Sequence, residues 1–123
     1  MTKNEPRPVT INYHQNSKLL EICFDNGTGF ELSSEYLRIY SPSAEVKGHG
    51  PGQAVLQVGK ENVAITEIEP VGNYAVRLHF DDGHNTGLYT WSYLYDLGSN
   101  LKTNWNNYLM ALEQAGHRRH THD

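Results

Sequence analysis

The stretch "VRLHFDDGHNTGLYTWSYLYDL", residues 76 to 97, reads as strand, tight turn, second strand and helix. Residues 20 to 40, "LEICFDNGTGFELSSEYLRIY", read the same way. Phe24, Asp25 and Gly27 match Phe80, Asp81 and Gly83, and Tyr36 and Leu37 match Tyr93 and Leu94. The offset slips from 56 to 57, so the second copy carries one extra residue after its turn. This self-similarity predicts two ββα-like units.

Asn-Gly and Asp-Gly favour positive φ, which suits a two-residue turn or a three-residue turn with a glycine bulge. The bulge register pairs Phe24 with Thr28, Ile22 with Phe30 and Leu20 with Leu32, gathering apolar side chains on one face. A one-residue slip would scatter them, so the bulge is preferred. In the second copy it places Tyr74, Val76, Leu78 and Phe80 inward, with His84 opposite Phe80 at the rim of the core. The first copy has Thr28 at that place, so the turn itself does not require a histidine.

Ser33 or Ser34 is placed to cap "EYLRIY", and Thr90 to cap "WSYLYDL". A further strand, "NVAITEIE" (62 to 69), turns at "PVGN" into "YAVRLHF". Leu101, Trp105, Tyr108, Leu109 and Leu112 form the stripe of a terminal amphipathic helix that stops at Gly116. The expected fold is α+β: antiparallel β hairpins in two ββα-like units, short helices and a C-terminal helix. Residues 1–116 are read as a single domain. Residues 117–123, with His117, His120 and His122, are read as a disordered tail whose clustered imidazoles would bind metal only loosely.

With 123 residues the chain suffices for one modest core. A net charge of -4 and scattered basic residues argue against nucleic acid as a partner. No apolar run approaches the roughly 20 residues that span a bilayer, and "MTKNEPRPV" lacks a secretory h-region, so a cytoplasmic location is expected. Cys23 has no second cysteine to pair with and no evident base beside it.

Between the two units runs "SPSAEVKGHGPGQAVLQVGK", residues 41 to 60, too long for an ordinary connector. Its "GHGPG" lacks the lysine of a phosphate loop, and no helix clearly begins there.

"LRIYSPSAEVKGHGPGQ" together with "IEPVGNYAVRLHFDDGHNTGLYTWSYL" resembles the gamma-butyrobetaine hydroxylase-like N-terminal domain family, in a stand-alone bacterial form. The resemblance covers about residues 8 to 98. Similar domains precede the catalytic part of gamma-butyrobetaine and trimethyllysine hydroxylases, and others are fused to Mrp-type ATPases that carry iron–sulfur clusters. The resemblance implies an accessory or recognition role, with the chemistry residing elsewhere. In the hydroxylases the domain holds zinc through a Cys-Pro-Cys-x-x-Cys run and a histidine after the second turn. The matching positions here are Ser41, Pro42, Ser43 and Val46, with His84 as the retained histidine. Three ligands are lost, and serine hydroxyls are poor replacements for thiolates. A substitute site for zinc or iron would use His84 with His49, or with His79, Glu45 or Asp82.

His79-Phe80-Asp81 fits the His-x-Asp of iron(II)/2-oxoglutarate oxygenases, but the chain has no room for their barrel and His79 alternates outward. Asp81 and Asp82 are read as turn acids, Asp81 making the Asx-type bond. No catalytic constellation emerges. The leading expectation is a non-enzymatic accessory domain that binds an unidentified protein partner, in metal-cofactor or iron–sulfur handling. Glu45, Lys47, His49 and Gln53 are its interaction candidates, and no cofactor is predicted. A metal-binding domain built on His84 and His49 is the first alternative. A small-molecule binder or small enzyme with a pocket between the units is the second.

Overall fold

The structure, a computed structural model, describes residues 5–47 and 55–119. The order is β1 (Pro8–His14), β2 (Leu19–Phe24), β3 (Gly29–Ser33), α1 (Ser34–Ile39), α2 (Ala44–Lys47), β4 (Ile65–Val71), β5 (Ala75–Phe80), β6 (Leu88–Thr90), α3 (Trp91–Ser99) and α4 (Leu101–Gln114). β1-β2-β3 and β4-β5-β6 form two three-stranded antiparallel sheets. The α+β expectation is met, with each unit one strand larger than a ββα hairpin. The added strand of the first unit, β1, was not read in the sequence. Its proline stands at the first strand position, where a missing N–H is tolerated.

The bulge register holds: Ile22 pairs with Phe30 and Leu20 with Leu32, and the Phe24 N–H donates to the Thr28 carbonyl at 2.8 Å. The second turn repeats the first bond for bond. The Phe80 N–H donates to the His84 carbonyl at 3.0 Å, and Gly83, at φ 89°, donates to Phe80 as Gly27, at φ 87°, does to Phe24. Side-chain oxygens of Asn26 and Asp82 accept the N–H groups of Thr28 and His84 at 3.0 and 3.1 Å. The Asx bond of the second turn therefore belongs to Asp82. Asp81 instead reaches across its sheet to accept the Ala64 N–H, as Asp25 accepts that of Arg7.

Leu20, Ile22, Phe24 and Leu32 of the first sheet pack in one cluster with Val76, Leu78, Phe80 and Tyr89 of the second. Tyr36, Leu37, Leu94 and Leu97 from α1 and α3 complete that core. Tyr74 is not part of it and is half exposed, because the chain turns there at Gly72 and β5 begins one residue later. Ser33 caps α1 and Thr90 caps α3. Ser34 is buried and shares a hydrogen bond with the Tyr13 hydroxyl at 2.9 Å.

Along α4, Tyr108 and Leu112 are buried with Ile39 in a second, smaller cluster, whereas Leu109 faces outward, off the seam. Gly116, at φ 78°, ends the helix. Its N–H and that of His117 return to the carbonyls of Glu113 and Leu112, the six-to-one and five-to-two pattern of a Schellman cap. Residues 117–119, the start of the expected tail, are described beyond this point. Arg119 donates to both oxygens of the buried Glu35 and lies over the Trp105 ring. His120 and His122 lie outside the described residues.

The units dock reciprocally. Tyr36 and Tyr93 occupy equivalent places, 57 residues apart, as do Tyr40 and Leu97. The Tyr36 hydroxyl donates to the Leu97 carbonyl at 2.6 Å, and the Tyr93 hydroxyl donates to the Tyr40 carbonyl at 2.5 Å. Each helix thus caps the end of the other, the reciprocity a twofold-related pair would show.

Candidate functional site

His84 lies where the two units meet. Its turn, on the second unit, meets the segment that follows α1 on the first. The His84 Nε2 lies 2.8 Å from the Ser41 Oγ, and its Nδ1 lies 2.9 Å from a Glu45 carboxylate oxygen. The carboxylate only accepts, so Nδ1 carries the proton and Nε2 accepts from the serine hydroxyl. Ser41 in turn accepts the Ser43 N–H, and Ser43 meets Thr86 hydroxyl to hydroxyl at 2.6 Å. His84 is 6% exposed, deeper than the rim position read from the sequence. Burial, reinforced by the Arg38 charge, holds its pKa below the usual histidine range against the opposing pull of Glu45 and Asp82. The ring is therefore neutral near pH 7, as that tautomer requires.

A second set of charges flanks it. Arg38 Nε and Lys60 Nζ both contact one oxygen of Asp82, at 2.9 and 2.6 Å. Desolvation would raise the Asp82 pKa. Lys60, the His84 N–H and Arg38 outweigh it and hold the carboxyl at about 2.

Serine, histidine and glutamate in this order resemble the nucleophile, base and orienting acid of a hydrolase. The serine, however, is sealed. Ser41 is fully buried, and a Cβ added to Gly87 would collide with its Oγ, so no acyl carbon could approach. The chain of bonds fastens the segment after α1 to the second turn.

The same positions are those that the family resemblance assigns to zinc, and the residues present do not fit the ion. Two are hydroxyls already committed to His84 and Thr86, and Val46 is a buried hydrocarbon with no donor atom. Both ring nitrogens of His84 are likewise engaged. Among the described residues no group of three or more histidine, cysteine, aspartate or glutamate side chains gathers to hold a metal. His79 pairs instead with Glu69 at 2.9 Å, and Asp81 is bound to Ala64, so the His-x-Asp match does not converge. Cys23 is half-buried opposite Gly29, away from the Leu20/Ile22/Phe24 face.

His49 and Gln53 lie outside the described residues, whereas Glu45 and Lys47 stand on α2, a single turn within the connection where none was expected. The Ser43 hydroxyl accepts the Glu45 N–H at 3.2 Å and starts this turn. The Val55 N–H returns to the Val46 carbonyl at 2.8 Å and closes the loop base. The segment so fixed forms one wall of an open apolar groove of about 460 Å³, which the sequence did not reveal. Ile39, Tyr40 and Val46 face Tyr108 and Ala111 of α4 across it, with Val55 and Leu56 along one lip. Among the described residues no helix is long and apolar enough to cross a membrane.

Comparison with known proteins agrees with this architecture. Two solution structures determined by NMR match nearly the whole chain. One is 54% identical with a TM-score of 0.81 over 97% of this chain and 90% of its own. The other is 43% identical with a TM-score of 0.82 over 98% and 94%. A crystal structure of a protein of unknown function from Acidithiobacillus ferrooxidans, belonging to the DUF971 family, is 39% identical. It has a TM-score of 0.64 over 75% of this chain and 92% of its own. No curated protein matched. The model of the family described as "Gamma-butyrobetaine hydroxylase-like, N-terminal" matches residues 11–95, spanning both turns and the Ser41–His84 junction, and the chain belongs to that family.

Proposed function

We propose that this protein is a non-enzymatic accessory domain that binds a protein partner through the groove between the Ile39–Lys47 segment and α4. The carrying observation is the groove itself, about 460 Å³ in volume and mainly apolar in its lining among the described residues. Val55 is 54% and Leu56 36% exposed along its lip, apolar area that a partner could cover. The sealed Ser41 supports binding over catalysis. The unsuitable donors at Ser41, Ser43 and Val46 count against an inherited zinc. The setting in metal-cofactor or iron–sulfur handling is an analogy with the fusions that similar domains make.

Site-specific photocrosslinking tests the reading. A benzoylphenylalanine is placed at Asn107, exposed on the α4 wall, or at Thr66, exposed on the second sheet. A discrete adduct from position 107 that is missing from position 66 is the expected result. Adducts from neither position, or equally from both, would remove the groove as the contact face.

A further inference from the structure

The groove carries a single charged side chain among its described lining residues, and that charge is positive. Lys47 holds its ammonium 4.6 Å from the centre of the Tyr93 ring, and among the described residues no carboxylate pairs with it. The neutral polar groups of the wall are mostly committed within the protein. Ser41 bonds His84, the Tyr108 hydroxyl donates to the Gln57 carbonyl at 2.7 Å, and the Gln57 side chain links Arg38 to the Val55 carbonyl. Among the described residues an incoming group therefore meets hydrocarbon, one ammonium without a carboxylate partner and the amide of Asn107. In a chain of net charge -4, this is a local point of attraction for an anion set in an apolar trough.

We propose that the groove takes a partner segment that seats an apolar side chain between Ile39 and Ala111 and places an aspartate or glutamate carboxylate on Lys47. This rests on the protein-binding role proposed above and adds the chemistry of the partner. One lysine is too little for a nucleic-acid backbone, where affinity grows with the number of phosphates neutralised. The exposed lip at Val55 and Leu56 lets a chain continue past the anchored residue, as a peptide does.

Selection of random linear peptides displayed on phage, against the full chain, provides the test. Asn107→Trp plugs the groove from an exposed helix position and serves for counter-selection. Enriched peptides should share a large apolar residue near an aspartate or glutamate and should not bind Asn107→Trp. Lys47→Glu should weaken them about five- to tenfold. Replacing the peptide acid by lysine should restore binding to Lys47→Glu, a rescue that misfolding could not produce. Groove-dependent peptides without an acid, or indifferent to Lys47→Glu, would overturn the partner chemistry and leave the binding role standing. Sodium decanoate that saturates the groove when no peptide does would overturn the assignment to a protein segment. If peptides bind equally well to Asn107→Trp, or none is enriched and decanoate does not bind, both proposals fail.

Discussion

At the scale of single residues, His84 joins three parts of the molecule through two nitrogens, and the neutral ring is what makes both bonds work. Removing it leaves the buried Ser41 hydroxyl without its acceptor and opens a void beside Phe80. His84→Ala should therefore cost about 2–3 kcal/mol in urea unfolding. The pH dependence follows from the depressed folded-state pKa of this histidine. The unfolded ring, with a pKa of about 6.5, binds its proton more readily than the folded one. Stability contributed by neutral His84 is present above about pH 6.5 and is lost as pH falls through the lower folded value. Asp82 acts at more acid pH: its contribution is present above about pH 4, its ordinary range, and is lost as pH falls toward 2. Between pH 7 and 5 the wild type should lose stability more steeply than His84→Ala. Equal slopes would show that His84 is not the group responsible. The histidine was legible as a site because Thr28 occupies its place in the first copy. Its partners Ser41 and Glu45 were legible only as positions, since nothing in a serine's spacing says that it will be buried and bonded.

At the scale of elements, the turns were the most legible part, because Asn26-Gly27 and Asp82-Gly83 demand the positive φ that each glycine shows. Strand β1 was legible in principle, since Val9, Ile11 and Tyr13 alternate with Thr10 and Asn12, but it lies outside the repeated strand-turn-strand pattern and has no counterpart motif to draw attention to it. The stripe of α4 was read correctly except at Leu109, since sequence periodicity tolerates a neighbour one position off the seam. The connection after α1 misled most. A one-turn helix fastened by the Ser43 side chain, as α2 is, has no periodicity to detect. Beyond α4 the described residues 117–119 attach through a charge pair and not an apolar residue, which hydropathy patterning does not register. Glu35 is 6% exposed, and Arg119 supplies the cation that makes its burial tolerable. Arg119→Ala leaves a buried carboxylate unpaired and should cost about 2–4 kcal/mol, read as a lower unfolding midpoint. Ending the chain after Gly116 should cost a similar amount. A truncated protein as stable as the full chain would mean that Glu35 finds water or another donor.

At the scale of the whole molecule, reciprocal docking explains why one junction between the units is polar and the other apolar. The equivalent of Ser41 is Gly98, and the equivalent of Gly87 is Phe30. At the apolar junction Phe30 presses on Gly98 so closely that a Cβ there would collide with its ring, with Tyr95 and Phe24 stacked edge-on beside it. At the polar junction Gly87 vacates the ring's space and Ser41 and His84 fill it. The two tyrosine bonds span the contact between these junctions. Each of Tyr36→Phe and Tyr93→Phe removes a hydroxyl from a carbonyl on the other unit, at a cost of about 1–2 kcal/mol. Tyr36→Phe should cost more, because its hydroxyl also accepts from the Asn104 side chain at 3.0 Å. If the units dock as one cooperative body, the double variant should depart from the sum of the two by more than about 0.5 kcal/mol. Loosening either bond would already have slackened the shared contact. Strict additivity would instead mean that the common core holds the units together and that the reciprocal bonds act alone.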